Sequence, residues 1–255
     1  MKQTILATLV SLFFVACQNE IPQEIAVGSL EFESVEMAAS SNETLSRAID
    51  ADLTVEIWKD GAIYQDGKMT YRFTSSNCPK TMTLPTGTYQ VKAFNEAYHK
   101  DSEWTNSDLG SAIYYKEENI EISDAKATKI AMRVPMTNIG VTFRLPKGFE
   151  QSFSEYTFTV TEGAEIANVS GEDAQNESDA QPKAAIRTVS VRQPQTIYLK
   201  SGAFTVTLAA KNIDNESVTT SYTHQEVIPG TVYTIDYQVA ATREISAALE
   251  KTIRR

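Results

Sequence analysis

The sequence predicts an all-β protein built as two tandem β-sandwich domains of transthyretin-like or immunoglobulin-like topology, closed by a short C-terminal helix. Three observations lead to the sandwiches. Apolar and polar residues alternate over short runs, as at Leu53, Val55 and Ile57, which is the period of a half-buried strand. Turn residues recur every roughly 8–12 positions, the spacing of sandwich strands. A turn-and-strand device occurs twice, as LPTGTYQVKA (84–93) and LKSGAFTVTLA (199–209). In both, a glycine permits a tight turn, and an aromatic residue and a valine at alternate positions then face one core. A third version, IPGTVYTIDYQV, ends the second half.

The elements follow in order. Residues 1–16 form a leader: Lys2 supplies a positive charge, and Ile5 to Ala16 is apolar apart from Thr8 and Ser11. This is the pattern of a secretory signal, and it is shorter than the ~20 apolar residues of a spanning helix. Residues 17–27 are polar and read as a tether. The first domain runs over 28–135. It opens with the alternating strand GSLEFESVEM and a small, polar loop from Ala38 to Asp50. ADLTVEIWKDG is the next strand, and Asp60-Gly61 signals a two-residue hairpin. Further strands carry Met69, Tyr71 and Phe73, then Met82 and Leu84, then Tyr89, Val91 and Ala93. A short helical stretch falls near Asn95–Lys100. Strands around Ile113–Tyr115, Ile120–Ile122 and Ile130–Val134 complete the domain.

The second domain runs over 136–240. Ile139, Val141, Phe143 and Leu145 alternate, as do Tyr156, Phe158 and Val160. SGEDAQNESDAQP (170–182) has no apolar period and ends in Pro182, so it is a surface loop. Strands resume around Val189 and Val191 and continue through TIYL, GAFTVTLAAKN, SVTTSYTHQEVI and TVYTIDYQV. The tail, 241–255, places Ile245, Leu249 and Ile253 four apart, which predicts a helix.

Cysteine usage bears on location. Only Cys17 and Cys78 occur in the chain. Phe14-Val15-Ala16-Cys17 resembles a bacterial lipobox, which makes Cys17 the lipid-bearing first residue of the mature chain and leaves Cys78 without a partner. The expected location is the cell outer membrane, lipid-anchored and facing outward. The formal net charge of −10 argues against nucleic acid, whose phosphates need cations. It also leaves membrane attachment to the acyl chains.

The ordered features resemble a known group. A lipid-bearing cysteine, the short strand beginning GSL, a loop ending in Arg47-Ala48, LTVEIWKDG, LPTGTYQVKAF, the pair Tyr114-Tyr115 and NIGVTFRLPKGF are similar to a family of Bacteroides-type surface lipoproteins. That family carries a domain of unknown function and is fimbrillin-like in style. The resemblance spans roughly residues 28–240. It implies two sandwich domains outside the outer membrane and no catalytic residues. It also makes Arg47 and Ala48 a candidate protease cleavage site. In fimbrillin-like subunits cutting in such a loop frees the first strand, and a neighbour's strand fills the gap by strand addition.

No catalytic motif competes with this reading. His99 and His224 are far apart and outside any metal-ligand spacing. GxSxG, P-loop and GxGxxG motifs do not occur. Glu172, Asp173, Glu177 and Asp179 lack the ligand spacing of a calcium loop, so neither a metal nor a cofactor is expected. Trp58 lies in a strand and reads as core or edge. Trp104, in the polar loop HKDSEWTNSDLG, is the candidate ligand contact. The expected function is a non-catalytic fimbrial anchor, accessory or adhesin-like subunit, with other subunits as partners. The alternative is a carbohydrate-binding surface lipoprotein of a glycan uptake system. If the first strand, residues 29–37, is separable, the groove it leaves is expected against Leu53–Ile57 or its neighbours.

Overall fold

The computed structural model of the chain describes residues 25–38, 52–163, 187–200, 202–240 and 244–253. The first half holds β1 (Val27–Met37), β2 (Thr54–Lys59), β3 (Ala62–Ile63), β4 (Gln65–Asp66), β5 (Met69–Thr70), β6 (Arg72–Thr74), β7 (Thr81–Pro85), β8 (Gly87–Phe94), the one-turn helix α1 (Ala97–Lys100), β9 (Tyr115–Ile122) and β10 (Ala127–Val134). The second holds β11 (Ile139–Arg144), α2 (Phe149–Ser152), β12 (Phe153–Glu162), β13 (Arg187–Val191), β14 (Ile197–Leu199), β15 (Phe204–Asn212), β16 (Ser217–His224), β17 (Thr231–Val239) and β18 (Ile245–Ile253). The expected all-β, sandwich-like architecture is what forms. Among the described residues no helix is long and apolar enough to cross a membrane.

In the first half, β1 lies between β10 and β7, parallel to the former and antiparallel to the latter. The facing sheet runs β3-β2-β8-β9, with β6 also paired to β2. Leu30, Leu84 and Met132 from the first sheet meet Ile57, Tyr89 and Val91 from the second in one buried cluster. Asp60 and Gly61 both have positive φ, 53° and 80°. This is the primed turn that the twist of a two-residue hairpin favours, and it sets Lys59 opposite Ala62.

In the second half, the sheets run β14-β11-β17-β18 and β13-β12-β15-β16. Val141, Phe143, Phe158, Val206 and Ile235 share a separate core. The Phe143 and Phe158 rings stack there with centroids 4.3 Å apart.

The two halves follow one strand plan. The leading strand is parallel to the strand that ends the repeat, as β1 with β10 and β11 with β17. It is antiparallel to β7 in one half and to β14 in the other. The antiparallel runs β2-β8-β9 and β12-β15-β16 match as well. The repeated glycine device occupies equivalent places. Gly87 opens β8 at φ 141° and Gly202 precedes β15 at φ 90°. The aromatic residues that follow, Tyr89 and Phe204, are 1% and 0% exposed.

One expectation needs correction. The C-terminal tail is not a helix: β18 pairs antiparallel with β17 along its whole length, from Ile245 opposite Val239 to Ile253 opposite Thr231. Residues four apart share a face in a strand as well as in a helix, so the spacing of Ile245 and Leu249 suits both. The free edge of β17 settles the choice, because pairing there satisfies the backbone and lets Ile245, Ala247 and Leu249 pack on the second core.

Candidate functional site

Three regions carry features beyond packing. The first is β1. Leu30 is fully buried, and the strand's backbone is paired on both sides. A Cβ at Gly28 would sit 2.2 Å from the Ser123 carbonyl oxygen, so only glycine lets the strand start against the turn between β9 and β10. Lys129 lies 3.9 Å from Glu31 and 3.7 Å from Glu33. These are exposed pairs of small energetic weight. The groove that β1 fills is bounded by β7 and β10. The sequence placed it against Leu53–Ile57 or its neighbours; β2, which begins just after Leu53, belongs to the facing sheet. Cys17, Arg47 and Ala48 lie outside the described residues, as do Glu172, Asp173, Glu177 and Asp179.

The second region is a clamp between the halves. Glu162 and Arg187 are register partners at the ends of β12 and β13. Both fall on the inward phase of their strands, after Phe158 and Val160 in one and before Val189 and Val191 in the other. Their side chains are 0% and 3% exposed, and they face each other at 3.5 Å. Burial pulls the Arg187 guanidinium down from its usual pKa, opposed by the carboxylates of Glu162 and Asp108. Arg187 also donates to the carbonyls of Asp108, at 3.4 Å, and Tyr198. The first of these belongs to a loop of the first half. That loop is held further by the Thr188 N–H, which donates to Asn106 Oδ1 at 3.0 Å, and the Tyr198 N–H, which donates to the Leu109 carbonyl at 2.7 Å. Asp108 itself accepts the N–H and O–H of Thr105, which hold its carboxyl below the usual range.

Trp104 stands in this clamp. It is half-buried, with the Arg187 guanidinium 5.0 Å from its ring centre. Gly110, at φ 69°, lies beneath it, where a Cβ would come within 2.9 Å of the ring and 2.8 Å of the Tyr198 carbonyl. The structure thus puts Trp104 in contact with a cation of its own chain. Trp58, read as core or edge, is half-buried on β2. Its indole N–H donates to Glu56 at 2.8 Å, and the Lys92 ammonium lies 3.7 Å from its ring centre.

The third region is a cleft of about 510 Å³ beside the clamp. Tyr98, His99, Asp101, Ile113, Thr137 and Asn138 line it from the first half and the junction, and Lys200 lines it from the second. Asn138 is part of the frame, since its amide accepts from the Ile113 N–H at 2.8 Å and donates to the Ser111 carbonyl at 2.9 Å. Asn95 does the same beside it, accepting from the Tyr114 N–H at 3.0 Å and donating to the Ala112 carbonyl at 2.7 Å. Both amide side chains therefore hold the wall in place.

Sequence reading missed Glu162, Arg187, Asp101 and Lys200. For the first pair a signal exists: each is a charge on the core-facing phase of a strand, which is unfavourable without a partner. For Asp101 and Lys200 there is none, because they stand 99 positions apart in the chain.

The remaining candidates are structural. Cys78 is half-buried against the first core, and burial pushes its thiol up to about 11, so little nucleophilic thiolate forms at neutral pH. His224 packs among Tyr222, Phe204 and Tyr233. Among the described residues no three His, Cys, Asp or Glu side chains gather as a metal site.

Several solved structures are similar. One is a protein from Bacteroides uniformis ATCC 8492 provisionally assigned to cell adhesion, 12% identical over 88% of this chain and 98% of that one, with a TM-score of 0.49. Another, of the same provisional assignment, comes from Bacteroides ovatus ATCC 8483 and is 12% identical over 90% and 99%, with a TM-score of 0.48. A fimbrial assembly protein from Parabacteroides distasonis ATCC 8503 is 13% identical over 88% and 94%, with a TM-score of 0.46. No curated protein is found similar to the chain. Residues 26–253 match the family described as Domain of unknown function (DUF4493). With every described strand of both sandwiches inside that match, the chain belongs to the DUF4493 family.

Proposed function

We propose that this chain is a non-catalytic outer-membrane surface lipoprotein, anchored through Cys17, that serves as an anchor or accessory subunit of a fimbrium-like, adhesive assembly. The supporting observation is the position of β1. A terminal strand placed between β7 and β10 leaves two open edges when removed, and open edges accept a strand from another chain through backbone hydrogen bonds. Leu30 fills the core between them, so an incoming strand would need an apolar residue there.

Arg47-Ala48 follows β1 in the sequence, and a cut there would release the strand together with Cys17. An anchor gains from retention, because the lipid then stays joined to the folded body. The chain therefore keeps its first strand. The test combines two measurements, one on the full-length protein and one on a deletion variant. Mass spectrometry of the cell-surface form is expected to show an acylated N-terminus at Cys17; a start at Ala48 overturns the anchor role. Deleting residues 28–47 is expected to give oligomers on size-exclusion chromatography, reverting to monomer when a 29–37 peptide is added. A stable monomer that ignores the peptide overturns the groove.

A further inference from the structure

We infer that the cleft between the two sandwiches is a binding site for a neutral saccharide, sized for about two sugar rings. Its volume of about 510 Å³ falls within the ~300–1,000 Å³ of small-molecule sites. Its walls divide by chemistry. The half-buried Tyr98 is the main apolar part, suited to the C–H face of a pyranose ring, and Ile113, 6% exposed, adds only an edge. Asp101 and Lys200 are the polar part, and neither side chain has an ion-pair or hydrogen-bond partner among the described residues. A carboxylate that only accepts and an ammonium that only donates together serve vicinal hydroxyls, each of which does both.

The charges decide between ligand classes. One acid and one base leave the cleft without net charge, and the chain as a whole carries −10. A polyanion gains no net attraction there and a neutral polyol loses nothing. A free amino acid would match the two charges, but it would leave most of the volume and the aromatic wall unused.

The site is also preorganised, which lowers the ordering cost of binding. Tyr98 stacks on Tyr115 with centroids 4.3 Å apart and planes 7° from parallel. His99 meets the edge of Tyr98 at 4.9 Å, and the amide of Asn138 is held by one bond accepted and one donated. Lys200 comes from the second half, and its backbone N–H donates to Glu162 Oε1 at 2.6 Å. The clamp that joins the halves therefore also positions the cation. No cleft residue lies on β1, β7 or β10, so the saccharide site stands or falls independently of the strand groove.

The test is titration of the full-length protein, by calorimetry and saturation-transfer NMR, with cellobiose, lactose, maltose and N,N′-diacetylchitobiose. Glucuronic acid, N-acetylneuraminic acid and free lysine are the comparison ligands. At least one neutral disaccharide is expected to bind one-to-one. Asp101→Ala and Lys200→Ala are each expected to weaken it about tenfold or more while leaving the melting temperature unchanged, since neither side chain bonds to the fold. Affinity is expected to be nearly independent of sodium chloride concentration, because a neutral ligand has no charge to screen. Three results would overturn the proposal: no binding at millimolar concentrations, binding untouched by both substitutions, or binding confined to the charged ligands.

Discussion

The two halves solve the same edge problem in different ways. Both place a parallel pair of strands within one sheet, β1 with β10 and β11 with β17. In the second half β18 lies on the outer side of β17, and Thr231 to Ile235 are all buried. In the first half β10 ends its sheet among the described residues. Its exposed positions alternate as Ala127, Lys129, Ala131 and Arg133. Basic side chains along an edge strand discourage pairing with other chains. One half closes its edge with a strand and the other guards it with charge. The shared strand plan leaves the edges free to diverge: in the second half the added strand also brings Ile245, Ala247 and Leu249 to the core.

The clamp joins the halves, and breaking it is among the largest expected effects. Arg187→Ala leaves the wholly buried Glu162 carboxylate without its cation, at a cost of about 3–5 kcal/mol. Chemical denaturation should show lower stability, and Trp104 fluorescence should shift to the red as the loop over Gly110 loosens. An unchanged unfolding curve would mean that the Glu162–Arg187 pair adds nothing to the junction.

The equivalent aromatic residues come next. Tyr89→Ala and Phe204→Ala should each cost about 3–5 kcal/mol, as large-to-small core changes do, but each should be felt in its own sandwich. Tyr89 carries an added polar anchor: its hydroxyl donates to the Pro85 carbonyl at 2.9 Å. Tyr89→Phe should therefore cost about 1 kcal/mol, measured by thermal unfolding. Equal stability of Tyr89→Phe and wild type would show that the two positions differ in name only.

At the edge an effect smaller than the core truncations is expected. Ending the chain after Glu244 removes β18 with the buried Ile245, for a loss of roughly 2–3 kcal/mol. It also bares β17, so self-association should rise on size-exclusion chromatography. A truncated protein that melts normally and stays monomeric would make β18 dispensable and the two edges equivalent.

Much of this was readable from local pattern. Alternation at Leu53, Val55 and Ile57, the paired glycine devices at Gly87 and Gly202, and the Asp60-Gly61 hairpin each rest on residues that are close in the chain. Strand period and turn conformation are local properties of the backbone, so a single sequence carries them. The pairing of β1 with β10, the strand identity of β18, the Glu162–Arg187 clamp and the placing of Asp101 and Lys200 in one cleft are long-range. Ile245, Leu249 and Ile253 fit a helix and a strand equally, and the free edge of β17 selects the strand. Asp101 and Lys200 look like ordinary solvated charges in the chain. They share a cleft because long-range hydrogen bonds join the two sandwiches beside it, a contact that no local pattern encodes.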